Sequence, residues 1–179
     1  AITDQFHKDL IEKLSPSIKI IANFAVGFGN IDVNAATKKN IVVTNTPEVL
    51  DDSTADISIL LLLGASRKVL EARRAAELQN WKWSADFMLG KQMSNKRLGI
   101  LGMGRIGRAV AKRARGFNME IHYHNRNQLP KDIEEGAIYH KTLKDLFNCS
   151  DFLSINCPAT KETNKIINKE TIAFLPDNV

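Results

Sequence analysis

Short, mostly apolar runs of strand length alternate along this chain with stretches whose apolar positions recur at helical spacing. Thr3 and Asp4 precede the amphipathic run from Gln5 to Leu14, which predicts an N-capped helix stopped by Ser15-Pro16. Residues 18–24, IKIIANF, have the length and composition of a buried strand. A glycine turn follows (Val26, Gly27, Phe28, Gly29), then Asp32 as a cap, a short helix to Lys39 and a second strand from Ile41 to Thr44. Strand, helix and strand in that order predict a parallel pair, because parallel neighbours need a crossover.

From Asp51 the pattern is helical to about Leu78. Its first half, Ile57 to Leu63, is apolar nearly all round and its second half is strongly charged. A helix apolar on several faces needs several covers, which places it between domains or between subunits. Gln79 to Asn95 has no clear period; Trp81, Trp83, Phe87 and Met88 are expected to hold this irregular connection down. A second unit then begins: strand 97–101, a glycine turn, helix 105–115 and strand 119–124. A loop with Pro130 leads to a helix at 143–147, a strand at 152–155 and a helix at 169–174. The alternation predicts an α/β fold built on parallel sheet.

Composition narrows the class. With 179 residues, 44% of them hydrophobic and 25% charged, the chain can bury a core. The longest apolar stretch, Ile57 to Ala65, is far short of the roughly 20 residues of a membrane span. No basic segment followed by an apolar one opens the sequence, so the cytoplasm is the expected location. Cys149 and Cys157 show no CxxC or Cys/His spacing, and neither a disulfide nor a zinc site is expected. They are read as reduced core thiols. His7, His122, His124 and His140 lack a paired acid nearby in sequence and are read as structural or solvated. The net charge of +5 raises the question of nucleic acid, but the basic residues are spread through several segments.

The most informative residues are Gly102, Gly104 and Gly107, a G-x-G-x-x-G written GMGRIG. Between a strand and a helix of one βαβ unit, the first glycine suits a tight turn, the second lets backbone approach a pyrophosphate, and the third lets helix and strand pack closely. The helix N-terminus adds unpaired N–H groups and a positive dipole end. The second strand ends in His122-Tyr123-His124-Asn125-Arg126. An NAD site ordinarily carries Asp or Glu there for the ribose 2′-hydroxyl. Asn125 removes that carboxylate, and Arg126 can pair with a 2′-phosphate, which favours NADPH over NADH. Alternatively, Arg126 stacks on the adenine or lies in solvent.

Taken together, the run from Ile20 to Leu63, the W-x-W at Trp81 and Trp83, LGILGMGRIGRAVAKRARGF and DFLSINCPATKETNKIIN resemble the D-isomer-specific 2-hydroxyacid dehydrogenases. HYHNR with NTPEVL is most similar to the glyoxylate/hydroxypyruvate reductase branch. The resemblance implies a Rossmann-like doubly wound cofactor domain, incomplete here, and part of a flavodoxin-like α/β substrate domain. Residues 1–52 are then substrate domain, 53–95 the interdomain or dimerisation helix and connection, and 96–179 the first part of the dinucleotide-binding domain. It implies that the amides of Val26 and Gly27 hold the substrate carboxylate. One departure is Gly29, where the family usually has Asp. It further implies that Gly104, Arg105 and Ile106 line the pyrophosphate, Asn125 and Arg126 the adenosine ribose, and Asn156, Cys157 and Pro158 the cofactor beyond the next strand. Thr54 either reaches the cofactor or bonds its own helix backbone. Trp83 either reaches a partner subunit's substrate pocket or anchors the connection. The family's catalytic Arg, Glu and His are expected beyond residue 179, so residues 1–179 alone are expected to be inactive. The implied activity is reduction of a small 2-keto acid, glyoxylate or hydroxypyruvate, by NADPH in a homodimer, with no metal, nucleic acid or membrane involved. A non-catalytic dinucleotide sensor of the same fold is the alternative.

Overall fold

The structure, a computed structural model, describes residues 3–79, 81–177 and 179. The chain divides into two compact units, Ala1–Leu50 and Asp51–Val179.

In the first unit, strands β1 (Ile20–Ala22) and β2 (Val42–Thr44) pair in parallel, Ile21 opposite Val43. Helices α1 (Lys8–Lys13) and α2 (Val33–Lys38) accompany them. Ile11, Ile21, Ile31, Ala35, Ala36 and Ile41 form the core. The cap of α2 is as expected, with Asp32 Oδ1 accepting from Ala35 N at 2.9 Å. Helix α1 starts later than expected, because Phe6 is held extended: its N–H donates to Asn30 O and its carbonyl accepts from Asp32 N. Two backbone bonds fix Phe6 outside the helix, so His7 is the N-cap and its side chain makes no cap bond. β1 is half-buried rather than buried, since Ile21 faces the core while Ile20 is 55% exposed. Alternation leaves one face of this two-stranded sheet uncovered by the unit's own residues.

The second unit is a four-stranded, all-parallel sheet. Strands β3 (Arg97–Leu101), β4 (Glu120–His124), β5 (Ile138–Tyr139) and β6 (Phe152–Ile155) are arranged in the order β5-β4-β3-β6. Helices α3 (Asp51–Ser66), α4 (Val69–Leu78), α5 (Arg105–Arg115), α6 (Lys131–Glu134), α7 (Leu143–Cys149) and α8 (Lys169–Ile172) complete it. The α/β class with parallel sheets is as expected. Central β3 is buried on both faces: Leu98 and Ile100 join Val110, Ala111 and Ala114 of α5 and Ala55 and Ile59 of α3, whereas Leu101 joins Leu146 and Phe147 of α7. Helices therefore cover both sides of the sheet, as a fully buried parallel strand requires. Arg113 ties α5 to α3 through Asp52 and Asp56.

The single helix expected from Asp51 to Leu78 is two helices. Lys68 breaks it in the left-handed region at φ 51°. The connection explains the break, because Lys91 N donates to Ser66 O at 2.7 Å and Gly90 lies so close that a Cβ there would sit 2.3 Å from that oxygen. The carbonyl that would serve the next helical turn is taken. This docking and buried Met93 secure the connection, not the tryptophans: Trp81 stacks on Phe87, and Trp83 is 81% exposed. On α3, Ala55 and Ile59 are buried while Ile57, Leu60 and Leu61 are exposed, so one face is covered within the chain. Helix α6 and strand β5 lie in what the sequence suggested was loop, both being too short to show a period. Among the described residues no helix is long and apolar enough to cross a membrane.

At the N-terminal edge of the sheet Arg97 and Asp151 join β3 to β6. The guanidinium Nη2 lies 2.9 Å from Oδ1, and the backbone N–H and Nε of Arg97 both donate to Oδ2. These bonds hold the Asp151 carboxyl at about 2, against an ordinary 3.8. The folded carboxylate takes up its proton less readily than the unfolded one, so the pair stabilises the fold above about pH 4 and that contribution is lost as pH falls toward 2. Partial exposure limits it to about 1 kcal/mol. We expect urea unfolding followed from pH 5 to 2 to show a shallower loss of stability in Asp151→Asn than in wild type; equal slopes would contradict the assignment.

Candidate functional site

The β3–α5 corner is built by its glycines. Gly102 has φ +95°, and a Cβ on it would lie 2.5 Å from Cys157 N. Only glycine accommodates both the turn and the approach of the β6 loop. A Cβ on Gly107 would meet Gly102 O at 2.3 Å and Ile100 Cγ2 at 3.2 Å, so the first turn of α5 lies directly on the end of β3. Gly104, in contrast, has nothing within 4 Å of its Cβ position. It is the N-cap of α5 and gives no side-chain bond. The first helical bond runs from Arg108 N to Gly104 O, and among the described residues neither Ile106 N nor Gly107 N has an acceptor. The corner therefore combines an open backbone face with amides directed out of a helix N-terminus, the arrangement that suits a diphosphate.

Beside it is a cleft of about 500 Å³ at the C-terminal ends of the strands, where open parallel sheets bind ligands. Gly102, Gly104, Asn125, Arg126, Asn156, Cys157 and Pro158 line it. Of the other expected cofactor residues, Gly107 sits behind the corner, Ile106 turns its side chain to the core, and neither Arg105 nor Thr54 lines the cleft. Asn125 braces the corner, its Oδ1 accepting from Met103 N at 2.7 Å. Gly102 N donates to His124 O and Asn156 N to Leu101 O, which ties the three strand ends together.

Thr160, Glu162 and Thr163 also line the cleft and were missed from sequence. The signal was their place just after β6, at the ligand-binding end of the sheet. Thr163 Oγ1 accepts from Thr160 N and donates to Pro158 O at 2.6 Å, bracing this loop. The Thr160 side chain, chiefly, and the charge of Arg126, least, hold the Glu162 carboxyl below its ordinary range. On the β4 side, Tyr123 OH donates to Glu134 Oε1 at 2.7 Å and accepts from Leu129 N at 2.9 Å, and Gln128 reaches the same carboxylate. Burial, then the carboxylate, push the Tyr123 phenol up to about 12. A second cleft, of about 490 Å³, lies by Asp151 and Phe152 at the opposite strand ends, where the carboxylate is already engaged by Arg97.

In the first unit the turn after β1 is held by its carbonyls. Asn23 Nδ2 donates to Gly27 O at 2.8 Å, and Asn45 Nδ2 to Val26 O at 2.9 Å. Among the described residues nothing accepts from the N–H of Val26 or Gly27, so the turn can offer two amides to an anion. Thr54 and Trp83 are exposed. His122 and His140, read from the sequence as structural or solvated, and Cys149, read as a core thiol, converge away from the cleft from three different parts of the second unit.

Residues 59–179 match the D-isomer specific 2-hydroxyacid dehydrogenase NAD-binding domain, and the chain belongs to this family. It is 42% identical to a glyoxylate reductase of Thermococcus litoralis, over 99% of this chain and 55% of that protein. Among solved structures, a glyoxylate reductase from Paecilomyes thermophila is 40% identical with a TM-score of 0.89, over 97% of this chain and 52% of that one. A D-lactate dehydrogenase from Aquifex aeolicus, solved with NAD and lactic acid, is 29% identical with a TM-score of 0.88, over 98% and 52%. The chain spans about half the length of these relatives.

Gly107→Ala places a methyl group against the Gly102 carbonyl, a backbone atom that cannot swing aside. We expect a loss of about 1–3 kcal/mol in chemical denaturation, whereas Gly104→Ala, with open space around it, should leave the unfolding midpoint within about 1 kcal/mol of wild type.

Proposed function

We propose that this chain supplies the dinucleotide-binding part, and part of the substrate domain, of an NADPH-preferring reductase that converts a small 2-keto acid, glyoxylate or hydroxypyruvate, to the D-2-hydroxy acid. The observation that carries the reading is the Gly102–Gly107 corner, whose open face and outward amides border a cleft of dinucleotide scale. The cofactor supplies hydride. The Gly104 backbone and the amides of Ile106 and Gly107 hold its diphosphate; Asn125 keeps the corner in shape; Arg126 receives the 2′-phosphate, with no carboxylate at position 125 to repel it. Asn156, Cys157 and Pro158 border the same cleft on the β6 side. The amides of Val26 and Gly27 hold the substrate carboxylate. Arg105 and Thr54 are peripheral to this assignment. The Arg, Glu and His that complete the chemistry belong to the part of the protein that follows residue 179, and the apolar face of α3, with Trp83, is assigned to a homodimer contact. The relationship to glyoxylate reductases supports the substrate class.

Fluorescence titration of the reduced cofactors tests the preference. Arg126→Ala should weaken NADPH binding about 10–100-fold, the scale of a lost charge-assisted bond, and leave NADH binding nearly unchanged. Equal affinity for the two cofactors before and after the substitution removes the assignment. For the full-length enzyme, NADPH oxidation should be fastest with glyoxylate or hydroxypyruvate and slower with pyruvate; substantial turnover by residues 1–179 alone would relocate the catalytic groups.

A further inference from the structure

Three metal-ligating side chains meet on the β4–β5 side of the sheet, outside the cleft. His122 comes from β4, His140 directly follows β5, and Cys149 is the last residue of α7. His122 Nδ1 lies 2.8 Å from His140 Nε2, and Cys149 Sγ lies 3.5 Å from each of those nitrogens. A triangle with these sides has a circumradius of about 1.9 Å, so one ion at zinc's usual distances of about 2.0–2.1 Å to nitrogen and 2.3 Å to sulfur reaches all three donors. The sulfur–nitrogen separations already equal the edge of a zinc tetrahedron, about 3.5 Å, and only the nitrogen pair must open, by about 0.5 Å.

The donors are held by backbone. His122 is paired with Ile138 in the sheet, and His140 N donates to Tyr123 O at 2.8 Å. The His140 carbonyl accepts from His124 Nδ1 at 2.8 Å. The ring nitrogen of His122 outside the triad, Nε2, is buried without a hydrogen bond, and Glu120 Oε1 lies 2.9 Å from it, out of line in this arrangement. A small turn of that carboxylate supplies the outer partner that metal-bound histidines ordinarily have. The 2.8 Å contact between His122 Nδ1 and His140 Nε2 is a hydrogen bond between the two rings, one nitrogen donating and the other accepting. The Cys149 thiol proton rests on Leu146 O at 3.1 Å and must leave before the sulfur can bind an ion. His122 is buried and its two partners half-buried, which leaves a side open for a fourth ligand.

We propose that His122, His140 and Cys149 form a three-ligand site for a borderline divalent cation of the zinc type, with water in the fourth position, that clamps α7 to the β4–β5 edge independently of the dinucleotide cleft. Binding replaces three of the cation's water ligands with one metal–sulfur and two metal–nitrogen bonds, releases the thiol proton to solvent and moves the proton shared between His122 Nδ1 and His140 Nε2 to the other nitrogen of the ring that carries it, with no change of oxidation state.

The test is titration of the chelator-treated chain with Co²⁺ as a spectroscopic probe, followed by competition with Zn²⁺. We expect one equivalent to bind with a thiolate-to-cobalt charge-transfer band that Zn²⁺ abolishes. Cys149→Ser should lose the band and Cys157→Ser should keep it. His140→Gln should weaken Zn²⁺ by at least about tenfold, and Glu120→Gln, acting through His122, by about tenfold. Free Zn²⁺ at one hundred times Kd should raise the wild-type Tm by about 5–10 °C. A wild type with neither band nor Tm shift overturns the proposal, as does a band that survives Cys149→Ser and vanishes in Cys157→Ser. Should Cys149→Ser fail to fold by circular dichroism, the two conservative variants decide: unchanged Zn²⁺ affinity in both overturns the site.

Discussion

Helix α5 can lie on the end of β3 only because Gly107 and Gly102 carry no side chains where their backbones meet, and the chemistry assigned to the cleft depends on that approach. A single methyl group there would meet a carbonyl oxygen 2.3 Å away. The approach aims the first amides of α5 at the cleft and leaves Gly104 as the uncrowded one of the three glycines. Asn125 then locks the loop from the neighbouring strand, and the β6 loop packs against Gly102 from the other side. Three strand ends therefore share one rigid rim, and a rim made on folding loses little freedom when a ligand arrives.

The opposite edge of the sheet is organised differently. There the neighbouring strands are joined by a bidentate ion pair between Arg97 and Asp151. Between the two edges, β3 contributes Leu98 and Ile100 to one core and Leu101 to the other. On the Leu101 side Gly99 lets Ser150 come close, since a Cβ at 99 would lie 2.0 Å from its Oγ. The central strand is thus apolar or side-chain-free on both faces, and polar groups are confined to its ends. In the first unit side-chain amides play the corresponding part, as Asn23 and Asn45 hold the carbonyls of a turn whose N–H groups stay available.

The fold was largely legible because its second unit follows local rules. α5 and β6 have the limits that periodicity and glycine punctuation suggest, and the GMGRIG corner announces its strand–turn–helix context. What the sequence hid was set by distant partners. The start of α1 depends on Phe6 pairing with residues 30–32, and the break after Ser66 depends on Lys91 occupying its carbonyl. β5 has only two residues, too few for any alternation to register. At the site, the glycines, Asn125 and Arg126 were visible from their place in the motif, whereas Glu162 and the two threonines line the cleft through a loop with no motif. The meeting of His122, His140 and Cys149 was invisible for the same reason: gaps of 18 and 9 residues match no ligand signature, and only the parallel order of β4 and β5 closes them.

The knot beneath the loop after β4 bears on how readily the wall of the cleft could be altered. Tyr123, Glu134, Gln128 and Leu129 fasten that loop from below through the phenol oxygen and one carboxylate, while positions 125 and 126 stand above it at the cleft. Exchanging Arg126 leaves that fastening untouched, whereas exchanging Asn125 removes the acceptor of Met103 N that braces the corner. Position 126 on the wall of the cleft is in that sense interchangeable lettering on a fixed plate, open to revision by one codon without redesign of the backbone.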